Sequence, residues 1–174
     1  DAVLVRGVIR ESTAMDFKAQ QVEMQLFKDG PPLTAPEVSV KVRNQDIEIA
    51  IPDALLVTGD KSGVAVKQGL FTVSGIDAPL PVADVTFRAQ SALAPALDAL
   101  GQLRFAGADK LALPTDTIQG KFDGDFSIKV PLAPEVEPET IAIVGKAKVT
   151  EIKSKEKIGV INLQSGSVDG EMSE

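Results

Sequence analysis

Apolar and polar residues alternate along most of this chain with a period of two, the pattern of strands that bury one face. Three times the alternation runs out, passes a loop containing a Pro-Leu or Leu-Pro pair, and returns. The first pass is 22–27, then Pro32-Leu-Thr-Ala-Pro36, then 38–42. The second is 70–73, then Ala78-Pro-Leu-Pro81, then 85–89, and the third is 122–130, then Pro131-Leu-Ala-Pro134, then 141–149. A lone hairpin cannot bury its apolar face. A chain that repeats the unit therefore builds one sheet from similar pieces. The pattern predicts strands at 2–9, 15–27, 37–43, 47–51, 54–58, 63–74, 83–90, 118–130, 140–152 and 157–172.

The long strand at 118–130 sets Phe122, Phe126, Ile128 and Val130 on one face and Lys121, Asp123, Asp125, Ser127 and Lys129 on the other. That is the division of an antiparallel strand with one wet side. Ile141, Ile143, Gly145, Ala147 and Val149 oppose it, so Asp123 and Asp125 are expected to face Lys146 and Lys148. Gly124 and Gly145 fall in mid-strand and are read as bulges or points of sharp coiling.

One segment has a helical period. Leu93, Ala96, Leu97, Leu100 and Leu103 form a stripe, with Ser91 as the expected cap, Pro95 in the first turn, and Gly101 or Gly107 as the stop. The stripe is expected to cover one end of the sheet. The fold class is thus mainly β: an extended, strongly curved antiparallel sheet of repeated long hairpins with one short α-helix. The 174 residues divide into N-terminal hairpins, 1–82, and a strand–helix–strand segment, 83–174. The alternation is already running at Asp1-Ala-Val-Leu-Val5 and still running at the other end. A piece of a longer array is expected, with any anchor or export signal outside it.

Composition narrows the chemistry. With 18 Lys+Arg against 25 Asp+Glu the chain lacks the basic excess that phosphate binding needs, and its only aromatic residues are 7 Phe. No nucleic acid partner is expected. His, Cys, Tyr and Trp are all absent. That removes His-based triads and the usual transition-metal ligands, so no catalytic residue, metal or cofactor is expected. The acidic pairs Asp123-Gly-Asp125 and Asp169-Gly-Glu171 fall far short of a calcium shell. They read as solvated strand faces, and the lysines from Lys146 to Lys157 as a solvated edge or turn. No apolar stretch reaches the ~18 residues of a membrane span.

From 85 onward the order of elements carries a resemblance. Val85-Thr-Phe-Arg-Ala89 is followed by the Leu-rich helix, a loop, Gly120-Lys-Phe-Asp-Gly-Asp-Phe-Ser-Ile-Lys-Val-Pro-Leu132, and Gly145-Lys-Ala-Lys-Val-Thr-Glu-Ile152. This resembles the AsmA-like, YhdP-type envelope proteins of Gram-negative bacteria over about the last ninety residues. The charged link Lys153-Ser-Lys-Glu-Lys157 departs from the family's apolar, Gly-containing one. The resemblance implies a segment of a periplasmic, inner-membrane-anchored β-groove that carries phospholipid between the two membranes. It implies acyl chains and neighbouring repeats of the same chain as partners, with the inner membrane reached through a segment elsewhere. Val85, Phe87, Phe126, Ile128, Val130, Ile141 and Ile143 are then the groove candidates, and Leu97 and Leu100 the cap. The alternatives are a closed two-layer core and a non-enzymatic structural or interaction β-domain of the envelope or cell surface.

Overall fold

The computed structural model describes residues 14–25, 31–58, 62–103, 118–132, 142–154 and 168–173. Among these the chain forms β1 (Ala14–Gln25), β2 (Pro32–Arg43), β3 (Asp46–Val57), β4 (Gly63–Ser74), β5 (Val82–Ala92), α1 (Leu93–Leu103), β6 (Ile118–Pro131), β7 (Ala142–Ser154) and β8 (Val168–Ser173). The eight strands make one sheet in sequence order, and every neighbouring pair is antiparallel. The sheet is not closed: among the described residues β1 and β8 are each paired on one side. The fold is mainly β, with one unclosed antiparallel meander and one helix.

Several expectations need correction. Pro32–Pro36 is not a loop but the first part of β2, where Pro32 faces Gln25 and Ala35 faces Val22. The segments 47–51 and 54–58 are not two strands; β3 runs through both as 12 residues, past Pro52. Ser91 is not at the cap position of α1, which starts at Leu93 and so leaves that place to Ala92; the Ser91 hydroxyl donates to the Ala92 carbonyl. Gly101 does not stop the helix but lies inside it. The predicted strand 2–9, Phe27, Gly107 and Ile141 lie outside the described residues.

Both prolines that upset these readings sit on one line across the sheet. In β1 the inward side chains are Met15, Phe17 and Ala19, then Val22 and Met24, so the parity changes at Gln20-Gln21. The same change occurs at Pro36-Glu37 in β2, between Val38 and Ala35, and at Pro52-Asp53 in β3, between Ile51 and Ala54. In β4 it falls at Lys67-Gln68, between Val66 and Gly69. The four breaks lie side by side. The β2–β3 ladder is interrupted between Thr34↔Leu55 and Ser39↔Ala50, where neither proline could donate an N–H. Because each strand carries the same extra residue, register is kept from β1 to β4. It shifts only against β5, between Lys67 and Leu70. Gln21 and Gln68 take up the strain with φ of 52° each.

A second bulge lies between Gln119 and Lys121, where Glu151, at φ 56°, is the extra residue of β7. Bulges bend a strand and increase its twist. The irregularities of the sheet's ladders are found at these two places. Gly124 and Gly145, expected as bulges, take neither a bulge nor a positive φ.

The helix lies over one end of the inner face. Leu93 packs with Ile118 and Ile152, backed by Leu97 and Val149. Ala99 joins Leu33, Leu56 and Val64 in the main buried cluster. Leu93, Ala96 and Ala99 are buried while Leu100 is 36% exposed, so the first three form the contact side.

Gln68 is exposed, so its backbone is what a substitution there tests. Gln68→Val should destabilise by about 1–2 kcal/mol, the cost of a branched side chain in the left-handed region. Gln68→Gly should be neutral or stabilising by up to about 1 kcal/mol. Denaturant unfolding of both variants measures the pair, and a Val as stable as the Gly would contradict a strained bulge.

Candidate functional site

With the parity breaks in register, inward side chains line up in rows that run across the strands. One row is Phe17, Val40, Ile49, Phe71, Val85, Ile128 and Ile143, each directly opposite the next. It crosses seven strands without a polar side chain. At a strand spacing of about 4.8 Å its length is roughly 29 Å. On one side runs Met15, Val42, Ile47, Val73, Ala83 and Val130. On the other, just before the break, the row contains Ala19, Val38, Ile51, Gly69, Phe87, Phe126 and Gly145.

In the next row, across the break, the side chains are small. Val22 faces Ala35, and Ala54, Val66, Ala89, Gly124, Ala147 and Gly170 follow across the sheet. Its middle is buried, with Ala35 at 2% and Ala89 at 5% exposure, while Val22, Val66 and Ala147 are half-buried and Gly170 is exposed. The middle row is different. Val40, Ile49, Phe71, Val85, Ile128 and Ile143 are only half-buried, and Phe17 at the β1 end is 48% exposed. The inner face is thus a dry core beneath α1 and an incompletely covered apolar floor away from it.

The structure brings the sequence candidates together. Val85, Phe87, Phe126, Ile128, Val130 and Ile143 share the inner face in adjacent register positions, with Val85 opposite Ile128 and Phe87 opposite Phe126. Leu97 packs against the Leu93, Ile118 and Ile152 cluster, whereas Leu100 is 36% exposed. Sequence reasoning missed the continuation of the row through Phe17, Val40, Ile49 and Phe71. Its signal was present in the apolar positions of the first four strands, but the polar pairs at the parity breaks disguise it.

The outer face is charged and paired across strands: Lys18 with Glu37, Asp16 with Arg43, Lys41 with Glu48, Asp53 with Lys67, Asp84 with Lys129 and Lys121 with Glu151. Such exposed pairs add little stability each. What they secure is sidedness, since turning a strand over would bury them. Register sets Asp123 opposite Lys148 and Asp125 opposite Lys146 as expected. The strongest contact of Asp123 nevertheless goes the other way, to β5. Arg88 donates to both its oxygens at 2.8 Å, and Gln90 donates at 2.9 Å. The Arg88 hydrogen bonds, then that of Gln90, hold the Asp123 carboxyl below its ordinary pKa.

Among the described residues no group of three or more Asp or Glu is arranged to hold a metal ion. No buried side-chain nitrogen or oxygen there lacks a hydrogen-bond partner. No described helix is long and apolar enough to cross a membrane. Comparison with protein-family models, curated proteins and solved structures finds no match for the chain.

The Asp123 contact has a definite pH signature. A carboxyl with a lowered folded-state pKa stabilises the fold above its unfolded pKa of about 3.9 and loses that contribution as pH falls through the folded value. Asp123→Asn should therefore melt below the wild type at neutral pH, and the gap should close as pH falls below about 4. Thermal melts of the two proteins from neutral pH to pH 2 check this. A gap that persists at pH 2 would assign the loss to packing and not to the charge.

Proposed function

We propose that this chain is a non-enzymatic segment of a periplasmic, AsmA-like envelope protein of a Gram-negative bacterium, whose inner face carries phospholipid acyl chains between inner and outer membranes. The observation that carries the reading is the uninterrupted row from Phe17 to Ile143, apolar in each of the seven strands it crosses and incompletely covered. Each CH₂ kept from water is worth roughly 0.8 kcal/mol. An acyl chain lying along the row keeps most of that term at every position. The row offers no hydrogen-bonding side chain that would fix the lipid in one place. Headgroups would stay in water. Neighbouring repeats would extend the floor beyond β1 and β8, and the inner membrane would be reached through another part of the protein.

The competing reading is a structural β-domain that recruits another protein by adding a strand to an open sheet edge. It is favoured by β1, which among the described residues is paired only with β2.

Substitution on the floor separates the two. A carboxylate at Ile128 or Ile143 stays hydrated on an open floor, whereas burying it unpaired would cost several kcal/mol. Ile128→Asp and Ile143→Asp should shift the melting temperature by only a few degrees yet abolish photocrosslinking of phospholipid to a probe at position 85 in the intact envelope protein. Global unfolding of both variants, with no lipid captured by the wild type, would leave the scaffold reading.

A further inference from the structure

Three phenylalanines stand at the β5–β6 part of the floor. Phe126 is the middle one, 5.4 Å from Phe87 and 6.2 Å from Phe122 between ring centroids, with planes inclined by 24° and 19°. Its ring does not stand away from the sheet as strand side chains ordinarily do. A Cβ at Gly145, directly opposite, would meet its Cδ1 at 2.6 Å and its Cε1 at 2.9 Å. A Cβ at Gly124 would meet its Cε2 at 2.8 Å and its Cζ at 3.0 Å. One edge of the ring thus lies over each glycine, and the ring fills the space of two missing side chains. Neither glycine is required by its backbone, since neither has a positive φ. What they supply is room.

We propose that Gly124 and Gly145 are the positions that set the depth of the trough at β6 and β7, and so decide which apolar chains can pass there. The inference rests on the acyl-chain reading of the floor. With the glycines present, the Phe126 ring lies down and the floor stays low beside Ile128 and Ile143. A methyl group at position 145 has no space under the ring, so the ring must rise into the path. The neighbouring Phe87 and Phe122 rings restrict sideways escape. Depth at this point is then a matter of one ring and two hydrogens, and Phe126 with Gly145 is its smallest adjustable unit.

The test uses wild type, Gly145→Ala, Phe126→Ala and the double variant, with two readouts. The Hα resonances of Gly124 and Gly145 report the ring through its ring-current shift. A fluorescent straight-chain polyene fatty acid and its methyl-branched analogue report the trough. In the wild type both glycine Hα signals should be shifted upfield and the straight probe should bind. In Gly145→Ala the Gly124 shift should collapse, and straight-probe affinity should fall about tenfold, the scale of an overpacking penalty. Removing the ring as well should restore binding. Phe126→Ala alone should gain affinity for the branched probe, and this arm decides the matter if Gly145→Ala fails to fold. A ring that moves with no loss of binding, unshifted glycine signals in the wild type, or no branched-chain gain would overturn the proposal. A wild type with shifted glycines that binds neither probe would instead overturn the acyl-chain reading, and the depth proposal with it.

Discussion

All the apolar side chains of a single sheet have to reach one face, and the two-residue period of a strand makes that condition strict. One extra residue turns everything beyond it over. Here four successive strands each carry an extra residue, at Gln20-Gln21, Pro36-Glu37, Pro52-Asp53 and Lys67-Gln68, and the extras lie in register. An insertion in one strand alone would set Val22 and Met24 on the wet face. Matched insertions keep the inner face apolar and convert a defect into a line along which the sheet can bend. Where the line ends, at β4, the mismatch with β5 is absorbed by the bulge at Gln68-Gly69. Prolines in two interior strands are tolerated because the ladder is already open at their height.

The rest of the structure follows from keeping that face single. The row nearest the helix holds Leu33, Leu56 and Val64, and α1 seals that end with Ala96 and Ala99 buried against the sheet. Larger aliphatic and aromatic residues form the middle row beyond its reach, where Val40, Ile49, Phe71, Val85, Ile128 and Ile143 remain half-buried. The outer face is fixed by charge, in pairs such as Arg88–Asp123 that bridge neighbouring strands. Function, in this account, is what remains when a sheet is made one-sided and only one end of that side is covered.

Much of this was legible in the sequence. The 118–130 strand, its partner from Ile143 to Ile152, the helix from Leu93 and the shared face of Val85, Phe87, Phe126 and Ile128 all follow from simple periods. What escaped did so for definite reasons. Pro32–Pro36 and Pro52 suggest loops because proline removes a ladder donor, and only the three-dimensional alignment of two prolines across β2 and β3 reveals why both are accommodated. Gly124 and Gly145 suggest bulges because strand glycines often mark them. Their actual role depends on where one ring, Phe126, comes to rest, and no period encodes that. The parity change itself was readable, as two adjacent polar or proline positions between apolar runs, but it has meaning only when the same change recurs in neighbouring strands.

The central claim is that the uncovered floor is occupied by acyl chains. Native mass spectrometry of the intact protein, purified gently from its own cells and followed by extraction of any bound lipid, tests it most directly. The account predicts diacyl phospholipid bound to the wild type, and little or none bound when Ile128 carries a carboxylate in a protein that still folds. Wild-type protein that is folded, monodisperse and free of lipid would contradict it.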